Sequence, residues 1–153
     1  MSMKVEDVMH GSVITIDGNY SARQAAKIMD FRGVSSLIVM SKKKISGIIT
    51  EKDLSTKVVA MGRDPECVKV EEIMTQPVIT VKSHQQLESA IQVMLVQGIK
   101  KMPVLGGEFG EDLVGMLSLT DIVMLYPALY SSMKKLQESQ QLPVEKGMDF
   151  YIS

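Results

Sequence analysis

The chain has 153 residues, 45% of them hydrophobic and 23% charged, enough for one compact domain or two small lobes with a self-sufficient core. Seventeen basic residues against eighteen acidic ones leave a net charge of −1, so no field of one sign is present to hold a nucleic-acid backbone or an anionic membrane surface. A single cysteine, Cys67, excludes an internal disulfide and any multi-cysteine metal site, and fits a reducing cytoplasm.

The first residues, Met1–Val5, lack the apolar core of a signal peptide, and no apolar run approaches the ~20 residues that a membrane helix needs. From Val5 the chain reads as a short capping segment (Val5–Met9) leading into a strand over Val13–Ile16. Ser21-x-x-Gln24 has the form of a capping box. It predicts a helix whose apolar face is Ala22, Ala25, Ala26 and Met29, stopped by Gly33. Two strands follow, Leu37–Met40 and Ile45–Thr50, and the Lys42–Lys44 run between them reads as a solvated turn. A second helix carries Leu54, Val58, Val59 and Met61, and Gly62 with Arg63–Pro65 ends it.

The same series then repeats. A shift of 65 places "VEDVM" (Val5–Met9) on "VEEIM" (Val70–Met74) and "VITI" (Val13–Ile16) on "VITV" (Val78–Val81), with ten identities over Val5–Met40. The second copy's helix face is Leu87, Ala90, Ile91, Met94 and Leu95, stopped by Gly98; its strands are Met102–Leu105 and Leu113–Ser118. Three extra residues in "GGEFGED" (Gly106–Asp112) raise the shift to 68 beyond that point. Each copy is therefore β-α-β-β-α, and the fold class is α/β (α+β). One such unit of about 60 residues is marginal alone; two can share a core. The expected boundaries are 5–64, a connector 65–69, 70–126 and a tail 127–153. In the tail, Leu129, Met133 and Leu136 suggest a short amphipathic helix beyond Pro127, ended by Pro143, with an apolar tip at Phe150–Ile152.

The duplication includes a chemical step. "GIITEKD" (Gly47–Asp53) and "GMLSLTD" (Gly115–Asp121) each place a hydroxyl three residues before an aspartate. Thr50 and Ser118 are good N-cap residues, and Asp53 and Asp121 suit the positive end of a helix dipole. The same groups could also hold a ligand. A helix start can take phosphate, and an ionised carboxylate, being acceptor-only, can take both hydroxyls of a ribose.

In series, "VEEIMTQPVITV" (Val70–Val81), "GIKKMPV" (Gly98–Val104) and "GMLSLTD" resemble one complete cystathionine-β-synthase (CBS) domain. "VEDVMHGSVITI", "GVSSLIV" (Gly33–Val39) and "GIITEKD" resemble another, and "KVVAMGRDP" (Lys57–Pro65) is similar to the connector of small stand-alone prokaryotic members. The resemblance implies a CBS pair, or Bateman module, with pseudo-twofold packing and two clefts for adenosine-containing ligands: AMP, ADP, ATP or S-adenosylmethionine. It implies one cleft formed by Thr50, Lys52 and Asp53 with Ile79, Lys101 and Met102, and another formed by Ser118, Thr120 and Asp121 with Ser12, Ile14 and Ser35. The aspartates would bind ribose, Thr50 and Lys101 phosphate, and Ile79 and Met102 the base. Ser35 and Ser36 stand where copy two has Lys100 and Lys101, so the Asp53 cleft is expected to prefer the more phosphorylated ligand. The family's Pro–Val is present at Pro103–Val104 and replaced by Ile38–Val39 in copy one, a departure that bears on the Asp121 cleft.

The expected function is a regulatory module that senses an adenine nucleotide and modulates a partner or its own dimer packing. The alternative is a ligand-free protein-interaction module. An enzyme is not expected, and no catalytic cofactor, because no nucleophile–base pair, acid pair or metal cluster is present in the sequence. His10 and His84 lack partners at catalytic or metal-ligand spacing and read as surface residues; Cys67 reads as a plain connector residue.

Overall fold

The structure, a computed structural model, describes residues 3–139. It holds two three-stranded sheets, one from each copy of the repeat. The described residues divide into two compact units that interleave in sequence: Val13–Ile79 forms one, and residues 3–12 with residues 80–139 form the other. The short leading segment of each copy therefore packs in the unit that the other copy builds.

In the Val13–Ile79 unit the elements are β1 (Thr15–Asp17), α1 (Ala22–Arg32), β2 (Ser36–Ser41), β3 (Lys44–Thr50), α2 (Glu51–Leu54) and α3 (Val70–Ile73). β1 runs parallel to β2, and β2 antiparallel to β3. The capping box at α1 is complete. Ser21 Oγ accepts from the Gln24 N–H (3.1 Å), and Gln24 Oε1 accepts from the Ser21 N–H (2.9 Å). Gly33 caps the other end at φ 65°, where a side chain would be strained. Ile16, Ala22, Ala25, Met29, Leu37, Val39, Ile49, Val58, Val70 and Ile73 form the core.

Ala26, expected on the inward face of α1, is exposed, and three further details differ from the sequence reading. β1 begins at Thr15 rather than Val13, because Ile14 gives only its carbonyl, to the Ile38 N–H (3.0 Å), before the ladder starts. α2 passes into a π-turn over Ser55–Val59, which buries Val58 but leaves Val59 and Met61 exposed. The two-residue turn between β2 and β3 puts Lys42 and Lys43 at φ 51° and 64°, a region that lysine enters reluctantly.

In the other unit, a 3-10 turn at Val5–Asp7 is joined by β4 (Val81–Lys82), α4 (Leu87–Gln97), β5 (Lys101–Gly106), β6 (Asp112–Ser118), α5 (Leu119–Leu125) and α6 (Pro127–Ser139). Its sheet repeats the same order and directions. Val5, Leu87, Ala90, Ile91, Met94, Met102, Val104, Leu117 and Ile122 are buried. β4 is shorter than the expected Val78–Val81 and starts later. Pro103 stands where copy one has Ile38, and it has no N–H to donate back toward the start of the strand. α6 packs on α4 and α5. Its inward face differs from expectation: Leu136 is exposed, and Gln137 is buried in its stead, with Nε2 donating to the Leu95 carbonyl (3.2 Å). The expected stop at Pro143 and the tip Phe150–Ile152 lie outside the described residues.

Candidate functional site

The exchanged leading segments bring the site together. Within the Val13–Ile79 unit, Thr75 pairs with Ile48 of β3 through two backbone hydrogen bonds (2.8 and 3.0 Å). Within the other unit, His10 pairs with Met116 of β6 in the same way (both 2.9 Å). Both contacts need a glycine beneath them. A Cβ on Gly47 would strike the Met74 side chain, and one on Gly115 would stand 2.6 Å from the His10 carbonyl oxygen. The upstream parts dock equivalently. The Val70 and Glu71 N–H groups donate to the Tyr20 and Gly18 carbonyls, as those of Val5 and Glu6 donate to Gln85 and Ser83.

This docking delivers one side chain to each aspartate, and the two differ. Asp53 is buried, its side chain 7% exposed. Oδ2 accepts from the Thr50 N–H (2.9 Å) and hydroxyl (3.1 Å); Oδ1 accepts from the Thr75 hydroxyl (3.2 Å) and from Lys57 Nζ (2.9 Å). Four donors meet about four lone-pair sites. The Thr50 Oγ1 in turn accepts from the Asp53 N–H (3.3 Å), so the capping box is closed. Lys57 also donates to the Ile73 carbonyl (2.9 Å), which ties the exchanged segment down a second time.

Asp121 is more open, its side chain 32% exposed. Its Oδ2 meets His10 Nε2, and the His10 side chain is 59% exposed. Ser118 occupies the N-cap position but makes no side-chain cap bond, contrary to the expectation from its residue type. The first N–H of each following helix is already used: Glu51 donates to the Ser35 carbonyl (3.1 Å), and Leu119 to the Lys100 carbonyl (2.7 Å).

The remaining candidates fall into three groups. Lys52, Thr120, Ser12 and Ser35 are exposed; Ile14, Ile79 and Lys101 are partly exposed. Met102 has no exposed surface and packs in the core of the sheet. Thr50 and Asp53 are brought together within one unit, and Ser118 and Asp121 within the other.

His10 is the residue that sequence reasoning missed. Its signal was its place in the repeat, opposite Thr75, which touches the other aspartate. His84 is exposed. The exposed thiol of Cys67 donates to Asp64 Oδ2 (3.5 Å), and that carboxylate pushes its pKa up, away from a reactive thiolate. A shallow cleft of about 460 Å³ beside it, walled by Arg23, Lys27, Glu66 and Lys69, includes none of the predicted site residues. Among the described residues no group of three or more His, Cys, Asp or Glu could hold a metal ion, and no helix is long and apolar enough to cross a membrane.

Comparison with known proteins agrees with the duplication. The family model for the CBS domain matches twice, at residues 5–60 and 70–128. An uncharacterized protein of Methanopyrus kandleri is 34% identical over 142 residues, 90% of this chain and 71% of that protein. A hexameric CBS-CP12 protein from bloom-forming cyanobacteria has a similar structure, with TM-score 0.74 and 31% identity over 82% of this chain and 68% of that one. So has the CBS domain pair of protein MJ0100 in complex with 5′-methylthioadenosine and S-adenosyl-L-methionine, with TM-score 0.72 and 28% identity over 84% of this chain and 98% of that one. With two matched domains spanning most of its length, this chain belongs to the CBS-domain family.

Proposed function

We propose that this CBS pair is a regulatory binding module for an adenosine-containing ligand, and that Asp121 is the carboxylate that takes the ligand's sugar. The observation that carries this reading is the contrast between the two aspartates. Asp53 already has four donors, whereas Asp121 stands part-exposed with an exchangeable imidazole beside it. A vicinal diol offers two O–H donors at the spacing of a carboxylate's two oxygens. The MJ0100 pair's complex with two adenosine compounds supports the ligand class. Asp53, in this reading, is the structural member of the pair. Regulation would follow if the ligand favours one packing of the module, or of a second copy or partner, over another.

The test is thermal unfolding of the full chain with and without millimolar AMP, ATP, 5′-methylthioadenosine and S-adenosylmethionine. A ligand at 100 times its dissociation constant stabilises by about 2.7 kcal/mol, which moves the transition by several degrees in a protein of this size. The shift is expected for at least one compound and should vanish in Asp121→Ala. A second reading, a protein-interaction module with no small ligand, is favoured by the sealed state of Asp53 and by the amphipathic α6. It would stand if none of the four compounds moved the transition.

A further inference from the structure

The geometry points to His10 as the residue that sets ligand selectivity at Asp121, by competing with the sugar for the carboxylate; this rests on the reading of Asp121 given above. The imidazole Nε2 lies on Asp121 Oδ2. A diol laid across both oxygens needs the place that the ring occupies, whereas a single hydroxyl can approach Oδ1 and leave the ring where it is. A ribose must therefore displace His10, and a deoxyribose need not.

The ring is built to leave. The His10 backbone is held at both its N–H and its carbonyl by Met116, while its side chain is 59% exposed. Rotation about χ1 carries the imidazole into water without moving the chain, a change that exposed side chains make freely. A side-chain contact this open also costs little to break. The equivalent residue at the other aspartate makes the contrast. Thr75 is fixed by the same backbone pairing with Ile48, but its short side chain has no comparable reach, and Lys57 completes the closure.

Two consequences are specific. Removing the imidazole should tighten a ribonucleotide and leave a 2′-deoxyribonucleotide almost unchanged. A bound ribonucleotide should release the imidazole. Both follow from competition alone, because a ligand that must displace a contact loses that contact's free energy from its own affinity.

The experiment uses the full chain with AMP and 2′-deoxyAMP as probes, measured by calorimetry on the wild type and His10→Ala. The expected result is that His10→Ala binds AMP about two- to fivefold tighter, the size of an exposed side-chain pair, and 2′-deoxyAMP within about twofold of wild type. The chain has two histidines, so imidazole ¹H–¹⁵N spectra give a second readout. AMP should shift the His10 signals and leave those of His84, with 2′-deoxyAMP moving neither. If AMP binds the wild type but His10→Ala weakens it, or the His10 signals stay fixed, the competition is overturned while the reading of Asp121 stands. If neither nucleotide, nor any other adenosine compound, binds the wild type, the ligand reading fails and this inference with it.

Discussion

Asp53 and Asp121 occupy equivalent places in a duplicated motif, yet one carboxylate is saturated by four donors and the other is held by an imidazole at the surface. Part of the cause lies in the exchanged segments, and part in Lys57, four residues beyond Asp53. At the position that docks on the third strand of each sheet, one segment carries threonine and the other histidine. Threonine stays exposed but its hydroxyl reaches the buried carboxylate. Histidine is longer, and it keeps its partner near water. Duplication supplied two equal frames, and the residues around each carboxylate, Thr75 and Lys57 at Asp53 and His10 at Asp121, set them apart.

The largest effect expected from this difference is on stability. Asp53→Ala strips the acceptor from the Thr50 N–H, the Thr75 hydroxyl and Lys57 in a buried setting. It should cost about 2–3 kcal/mol, in the range for hydrogen bonds to a buried charge. Asp121→Ala breaks an exposed pair and should cost less than about 1 kcal/mol. Urea unfolding of both variants measures the difference. Equal losses would mean that the two carboxylates play the same structural part.

The docking of the segments can be broken from beneath. A Cβ at Gly115 meets the carbonyl oxygen of His10, a backbone atom that accepts from the Met116 N–H, and the Met9 side chain. At Gly47 it meets Sδ, Cγ and Cβ of Met74, a side chain that can turn aside only in part. Gly115→Ala should therefore cost about 2 kcal/mol and Gly47→Ala about 1 kcal/mol, within the range for overpacking. The midpoints of the same urea curves report it. Gly115→Ala should also shift the His10 imidazole signals, because it displaces the backbone from which that side chain hangs.

Much of this fold could be read from residues alone, because its signals are local. Ser21-x-x-Gln24 forms its box, Gly33 and Gly98 take left-handed conformations, and Ala22, Ala25 and Met29 of α1 and Leu87, Ala90, Ile91 and Met94 of α4 point inward. The exchange of segments was not legible, since it depends on contacts between residues far apart in sequence; His10 and Asp121 are 111 positions apart. The two aspartates were legible as a pair, but their difference was not. Residue types at Thr50 and Ser118 predict the same cap, and only the docked partner distinguishes them. Met102, carried over by likeness to the family, is buried in the sheet, as its apolar character and its strand also predict.

The smallest expected effect sharpens the comparison at the hydroxyls. Thr50 Oγ1 accepts the Asp53 N–H and donates to its carboxylate, while Ser118 makes no side-chain cap bond. The first N–H of each helix is taken by a backbone carbonyl, from Ser35 in one unit and Lys100 in the other, so any cap must act further along the turn. Thr50→Ala should then cost about 1 kcal/mol, the usual loss of an N-cap, and Ser118→Ala less than about 0.5 kcal/mol. Thermal melts of the two variants without ligand decide it. If Ser118→Ala proved as costly as Thr50→Ala, the serine would be closing a box that the structure leaves open, and Asp121 would be drawn toward its own backbone and away from a sugar. A small loss at Ser118 beside a clear one at Thr50 would mean that this turn is left slack where its counterpart is clamped, as a carboxylate that must change partners requires.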